Sequence, residues 1–343
     1  MGDLVQTLPA LSDAARAFPG ITFDWIVDES FAQVPGWHRN VETVISSPFR
    51  RWRKNWRHAF KSGEPQGFLR KVRAQKYDFI VDVQCELKSA VASRLARGPR
   101  YGYDRRAVHE WGAQFAYQKT FFVPKAQHSM QRMRQLLASA LGYEYEESHV
   151  DYGIDRSRLG AVPIDLPERF VVFIHSTSWT SKIWPEFYWQ ELLNKVTSAG
   201  YDVLLPWGDE AERLRAGRIA AGNDKGFVLP PLSISEKAAI INRAAATVGL
   251  DTGLSHIAAA LDIPSITIYG ATDPLLVGAT GQHQLHLTST FECVGCHDVV
   301  CKYTGGAEFK PACLVEIKPE HVWQKLKLIS RGVSTEVVSL GAN

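Results

Sequence analysis

The stretch from Val248 to Pro274, VGLDTGLSHIAAALDIPSITIYGATDP, constrains this chain more than any other. The apolar run Val248-Gly249-Leu250 ends in Asp251-Thr252-Gly253. Leu254, Ile257, Ala258 and Leu261 then recur at helical spacing, and a second apolar run, Ser265 to Tyr269, closes in Gly270-Ala271-Thr272-Asp273. Strand, tight polar turn, helix and strand make a βαβ unit. In an open parallel sheet, ligands bind beyond the carboxyl ends of the strands. Asp251-Thr252-Gly253 opens a helix at such an end, where free N–H groups and the positive dipole form a seat for a diphosphate. The same residues also read as a plain helix cap and turn.

The alternation runs through the second half. Strands are expected over 170–174, 202–205, 226–229, 247–250 and 265–269, with helices over 185–199, 209–221, 234–245 and 254–261. The first half is less regular. Leu4, Leu8, Leu11, Ala15 and Phe18 mark a helix stopped by Pro19-Gly20, and Ile21, Phe23, Trp25 and Val27 alternate as a strand. A weaker strand follows at 41–45, and the tract 49–61 reads as loop plus helix start. A helix around Phe68, Leu69 and Val72, a strand over 79–83, and helices over 88–96 and 127–141 complete it. Such α/β alternation implies parallel sheets. The polar, Pro- and Gly-containing stretch 142–168 reads as an interdomain linker. The expected fold is therefore α/β with two Rossmann-like domains facing a cleft, over residues 1–155 and 165–318. A doubly wound domain begins with a strand and this chain begins with a helix. The N-terminal domain is thus expected to lack its first strand, with Met1 an internal methionine of the natural chain.

At 343 residues the chain has room for two domains, and 45% apolar with 22% charged residues is a globular composition. No apolar run approaches the roughly 18 residues of a spanning helix. The N-terminus has acids and no basic leader, so no signal peptide is expected. A net charge of only +3 argues against general nucleic-acid binding. Positive charge is concentrated in FRRWRKNWRHAFK, residues 49–61, where Trp52 and Trp56 are interleaved. A solvated basic face is one reading; a phosphorylated lipid headgroup, gripped by Arg forks beside interfacial Trp, is another.

Three further stretches carry candidate chemistry. His175 to Lys182 (HSTSWTSK) ends a strand just before Trp184-Pro185 starts a helix. Thr177 and Ser178 suit phosphate as hydroxyl donors and Lys182 as a point charge; a solvated polar loop is the alternative. Glu212, after Pro206-Trp207-Gly208, could accept both hydroxyls of a ribose, with Glu210 competing and an acidic first helical turn as the plainer reading. Asp3 would lie at the carboxyl end of the missing strand, where it could take a proton from an attacking hydroxyl; alone it reads as a helix cap. Finally, Cys293, Cys296, Cys301 and Cys313, with His297 among them, are spaced like a structural zinc or iron knuckle, or are reduced free thiols. Cys85, on a strand elsewhere, reads as a small buried residue.

As a set, MGDLVQTLPAL, FDWIVDESFAQVPGWH, the Arg-Arg-Trp-Arg-Lys run, Lys88-Ser89, HSTSWTSKIWPEFYWQEL, LLPWG and LDTGLSHIAAALDIPSITIYGATDP resemble the lipopolysaccharide heptosyltransferases, glycosyltransferase family 9. The likeness spans about residues 1–285. It implies a GT-B fold whose last helix, within 319–343, crosses back to the first domain. It also implies inverting transfer of L-glycero-D-manno-heptose from ADP-heptose onto Kdo of the lipid A inner core. Asp3 would be the general base. Lys182 and Asp251-Thr252-Gly253 would hold the diphosphate, with Thr177, Ser178 and the neighbouring His256 assisting and Glu212 on the ribose. Arg50, Arg51 and Lys54 would grip the acidic acceptor. No catalytic metal is implied, and the enzyme would sit in the cytoplasm, peripheral on the inner face of the membrane. The cysteine-rich insert, 291–315, looks more like other members, heptosyltransferase II and the protein heptosyltransferases. Those, a GT-B-like sugar-nucleotide epimerase and a binder of ADP-sugar without activity are the alternatives.

Overall fold

The computed structural model describes residues 1–307 and 309–329, which divide by contact into two compact units: Asp3–Arg158, and Leu159 onward together with Met1–Gly2. Along the first run α1 (Gly2–Ala17), β1 (Phe23–Asp28), β2 (Val41–Ser47), α2 (Phe49–Lys54), α3 (Trp56–Lys61), α4 (Glu64–Val72), β3 (Ile80–Val81), α5 (Leu87–Leu95), β4 (Arg100–Tyr103), β5 (Lys119–Phe121) and α6 (Ser129–Leu141). Along the second run β6 (Phe170–Ile174), α7 (Glu186–Ser198), β7 (Asp202–Leu205), α8 (Glu210–Ala220), β8 (Gly226–Val228), α9 (Ile234–Ile241), β9 (Ala246–Leu250), α10 (Gly253–Ala260), β10 (Ser265–Tyr269), α11 (Pro274–Val277), β11 (Gln284–Thr288), α12 (Ala312–Val315) and α13 (Pro319–Ile329).

The C-terminal unit is one six-stranded, all-parallel sheet in the order β11-β10-β9-β6-β7-β8. Strands β6, β9 and β10 are buried along their whole length. That explains why they read as continuous apolar runs rather than alternating ones. The order runs outward in both directions from β6 and β9, so the switch point lies between them, and ligands of such sheets bind at its carboxyl edge. One face packs Phe173 against Trp189, with Trp189 edge-on to Trp184 at 5.0 Å. Helix α10 approaches β9 closely: a Cβ on Gly249 would stand 2.6 Å from Ser255 Oγ and 3.0 Å from Ile174 Cβ. Only glycine fits there.

The N-terminal unit holds two separate parallel sheets, β1-β2 and β3-β4-β5, and no strand joins them among the described residues. Helices α1 and α6 are locked by a fully buried ion pair. Arg134 Nε donates to Asp13 Oδ2 at 2.6 Å, and its other nitrogens bond the carbonyls of Glu146, Glu147 and His149.

Several expectations change. The basic tract 49–61 is helical on both sides of a break at Asn55, as α2 and α3, rather than loop plus helix start. The strand expected over 79–83 shortens to Ile80–Val81. Strands β4, β5 and β11 (RYGY, KTF, QLHLT) are too short and too mixed in polarity to give a periodic signal. The first part of the expected linker is anchored to the N-terminal unit. Ile154 bridges His38, and Arg39 N–H donates to Gly153 O at 2.9 Å. It is held by backbone bonds and by polar side-chain bonds such as those of Arg134, which leave no hydrophobic period to read. Helix α13 buries Val322, Leu326 and Ile329 in the core of its own C-terminal unit. That is the described part of the segment 319–343 expected to cross back; residues 330–343 lie outside the described residues.

Replacing Arg134 with Met strands the buried Asp13 carboxylate. It should cost about 3–5 kcal/mol, the usual toll for breaking a buried pair from one side. A large fall in the thermal midpoint is expected, and an unchanged midpoint would show the pair to be dispensable.

Candidate active site

Two loops of the C-terminal unit meet at the switch point. After β6 the chain runs through His175 and Ser176 into a short 3-10 turn, Thr180–Lys182, and after β9 comes Asp251-Thr252-Gly253. Lys182 Nζ donates to Asp251 Oδ2 at 2.7 Å. The same oxygen accepts from Thr272 Oγ1 at 2.6 Å, and His256 Nε2 stands 3.6 Å from Oδ1. The Lys182 ammonium also lies 4.3 Å from the centroid of the Trp179 ring, a cation–π contact. Asp251 is only 6% exposed. Burial pushes its carboxyl up, but His256 and Lys182 outweigh that and hold it well below the ordinary carboxylate range. It stays ionised, and Lys182 is fixed by it.

The plain-cap reading of this turn fails on geometry. Asp251 is spent on Lys182 and Thr272, and Thr252, the N-cap of α10, makes no side-chain cap hydrogen bond. Gly253, the first residue of α10, has the Met1 side chain packed against it; a Cβ there would fall 2.2 Å from Met1 Cε. Thr177 is half-buried and Ser178 exposed on the loop after β6. Thr272, in the turn just after β10, carries no sequence signal of its own. The same holds for His175. That ring is fully buried, with Nδ1 2.8 Å from Ser176 Oγ, and burial and then Arg215 lower its pKa to about 3.

Glu212 is drawn inward. Its Oε2 accepts from Gly208 N–H at 2.6 Å while its own N–H is capped by Asp209. Glu210, the competitor, forks onto Arg213. In the N-terminal unit, Asp3 is exposed in the first turn of α1. On α2, Arg50 pairs with Asp28 at 3.2 Å, and Arg51 is clamped between Glu29 and Glu64, which raise its pKa. Lys54, at the end of α2, is exposed.

Among the described residues no group of three or more His, Cys, Asp or Glu is placed to hold a metal ion, and all five cysteines are free. Cys313 is buried against Gly270, and burial followed by the neighbouring Cys293, Cys301 and Cys296 pushes its thiol up to about 12. Cys293, Cys296 and Cys301 therefore share a neighbourhood with Cys313. Cys85 is buried as expected, though in a left-handed turn with φ 50° rather than on a strand.

A parallel sheet in this order, with a fixed lysine and a helix N-terminus at its switch point, defines a nucleotide-binding domain. The whole chain has the GT-B fold of glycosyltransferases. Residues 67–305 match the model for glycosyltransferase family 9 (heptosyltransferase). Lipopolysaccharide heptosyltransferase 1 of Pseudomonas aeruginosa is 42% identical over 95% of this chain and 94% of its own length. Its namesake from Escherichia coli K12 is 43% identical over 83% and 89%. A structure of E. coli heptosyltransferase WaaC with ADP superposes with a TM-score of 0.82 at 38% identity, over 96% of this chain and 97% of that one. The chain belongs to glycosyltransferase family 9, the heptosyltransferases.

The buried histidine gives a pH signature. His175 stays neutral in the fold down to about pH 3, and His38, buried in the other unit, down to about 4. The unfolded chain protonates both near 6.5. Stability should therefore be flat in pH above 6.5 and fall as pH drops below it. Replacing His175 with Asn should make the loss of thermal midpoint between pH 7 and pH 5 shallower; an identical slope would remove His175 as a cause.

Proposed function

We propose that this enzyme moves a heptosyl group from ADP-heptose to Kdo of the lipid A inner core, inverting the anomeric centre. The observation that carries the reading is Lys182, held at 2.7 Å by a buried, ionised Asp251 beside the N-terminus of α10. Its support from outside the site is the 42% identity with lipopolysaccharide heptosyltransferase 1 over nearly the whole chain. Asp3 takes the proton of the acceptor hydroxyl, whose oxygen attacks the anomeric carbon from the face opposite the nucleotide. The bond from that carbon to the diphosphate oxygen breaks, and ADP leaves carrying the electron pair. The charge it gains is met by Lys182 and by the N–H groups of Gly253 and the first turn of α10, with Thr177 and Ser178 as further donors. Glu212 accepts from the ribose. His256 and Thr272 act through Asp251, keeping its carboxylate in place. Arg50 and Lys54 face an acceptor rich in carboxylate and phosphate; Arg51, whose nitrogens donate to Glu29 and Glu64, joins them only by exchanging one of those carboxylates for the acceptor's.

Peripheral attachment to the inner leaflet fits a lipid acceptor. Among the described residues no helix is long and apolar enough to cross a membrane. The N-terminal unit exposes Leu87 and Val91 on α5 beside Trp111 and Phe115, whose rings meet edge-on at 5.9 Å. Arg94 bonds the Phe115 carbonyl at the margin of this patch. With the basic α2, such a surface suits an anionic bilayer.

Lys182→Ala should raise the KM for ADP-heptose and lower kcat together, because the leaving diphosphate gains charge in the transition state; unchanged kinetics would take Lys182 out of the site. Asp3→Asn should abolish transfer while ADP still binds in calorimetry, and wild-type turnover would end its assignment as base. The reaction is tested by heptose transfer to Kdo-lipid A and to its mono-heptosylated form, with ADP release as readout. Activity is expected on the first acceptor. Activity on the second alone would move the assignment to heptosyltransferase II, and ADP release with neither would point to hydrolysis or epimerisation.

A further inference from the structure

The cysteine-bearing insert has no part in the reaction above, yet it is fastened to the donor site from two sides. On one side lies the loop that carries Lys182. Ser181 Oγ donates to the Asp298 carbonyl at 2.5 Å, Ser181 N–H to the Val299 carbonyl at 3.2 Å, and Thr180 Oγ1 to the same carbonyl at 3.3 Å. On the other side lies the strand end that carries Thr272. Gly295 N–H donates to Gly270 O at 2.8 Å, and His297 N–H to Ala271 O at 2.7 Å. Each fastening stops one residue short of a partner of Asp251. Lys182 follows Ser181, Thr272 follows Ala271, and both bond Asp251 Oδ2. His297 holds its bond from the left-handed region, φ 56°, and Gly295 from φ 77°. That conformation is uncommon outside glycine, though histidine adopts it more readily than most residues. Ser181 is 2% exposed and lies on the side of the turn away from solvent.

We propose that residues 295–299 of the insert are a positioning element of the donor site, and that Ser181 is the positioning residue through which it sets Lys182. The inference rests on the donor reading given above. Without the insert, the turn Thr180–Lys182 would lose three hydrogen bonds at Thr180 and Ser181, and the backbone from which Lys182 reaches Asp251 would be less well fixed. With it, Lys182 and Thr272 are delivered to one carboxylate oxygen from loops joined by a common strap. The thiols then have a plain role. Cys313, pressed on Gly270, fills the space under the strap as a small apolar group.

The test uses the full chain as wild type, Ser181→Ala, Ser181→Thr and Thr180→Val, with ADP-heptose varied in steady-state kinetics and ADP affinity measured by calorimetry. Ser181→Ala should lower kcat/KM for the donor by roughly tenfold, the scale of one hydrogen bond. KM should rise and kcat fall together, ADP should bind more weakly, and the acceptor KM should not move. Ser181→Thr, which keeps the hydroxyl, should recover most of the loss. Thr180→Val, at an exposed site that tolerates the change, should shift the same constants in the same direction by less, and it decides the matter if Ser181→Ala does not fold. Wild-type donor constants in both Ser181→Ala and Thr180→Val overturn the proposal. So does a Ser181→Thr as impaired as the alanine variant, which would make volume the cause. Wild-type protein that binds ADP but transfers no heptose would overturn the proposed reaction alone, and ADP affinity would still decide this inference. Wild type that binds no ADP overturns both.

Discussion

Almost everything about the proposed donor site depends on one buried carboxylate. Asp251 lies where β9 hands over to α10, and it draws in an ammonium from the loop after β6, a hydroxyl from the end of β10 and an imidazole from α10. A charge so far from water is tolerable only if its partners surround it. That requirement works in reverse as a constraint on the loops, because any rearrangement that removed Lys182 would leave Asp251 buried and unpaired. The site is therefore organised before a nucleotide arrives, which is the condition under which fixed charges stabilise a developing diphosphate most effectively.

The strand order explains why this carboxylate can gather residues so far apart in sequence. In a sheet ordered β11-β10-β9-β6-β7-β8, β6 lies next to β9 although some seventy residues separate them. Their carboxyl ends open side by side, and crossovers on opposite faces leave a gap between the two loops. The close seat of α10 on Gly249 brings the helix N-terminus to the floor of that gap. The tryptophan-rich face under α7 anchors the other wall, where Trp184 Nε1 donates to Ile317 O at 2.9 Å. Arg215 joins the carbonyl of Trp184 to Glu186 at the start of α7. Packing and chemistry share the same few residues.

Legibility in the sequence followed burial. Strands β6, β9 and β10 were plain because all of their residues are interior, and α10 was plain because its apolar stripe is continuous. The short strands β4, β5 and β11 were not, since a hydrogen-bonded pairing of three to five residues needs no hydrophobic period. Lys182, Asp251 and Gly253 were visible as charged or flexible residues at strand ends. Thr272 was hidden, because a threonine after a strand has many ordinary uses. The cysteine spacing was visible too: a C-x2-C beside two more cysteines is what a metal site looks like in one dimension. In three dimensions Cys313 is pinned on Gly270 by helix α12, and among the described residues no three such side chains are grouped as a metal would need.

By itself, the sequence determined the class of sheet, the family and the residues that end its strands, because these follow from local periodicity, turn chemistry and contiguous motifs. Only the tertiary structure decided which of those residues act together. It gave Asp251 to Lys182 and Thr272 rather than to a helix cap, turned Glu212 onto Gly208, and committed Arg51 to Glu29 and Glu64. It also laid the insert across the loop that carries Lys182. Each of those outcomes is a contest for partners between groups distant in sequence. Such contests are settled by which side chains the fold brings within about 3 Å, the reach of a hydrogen bond.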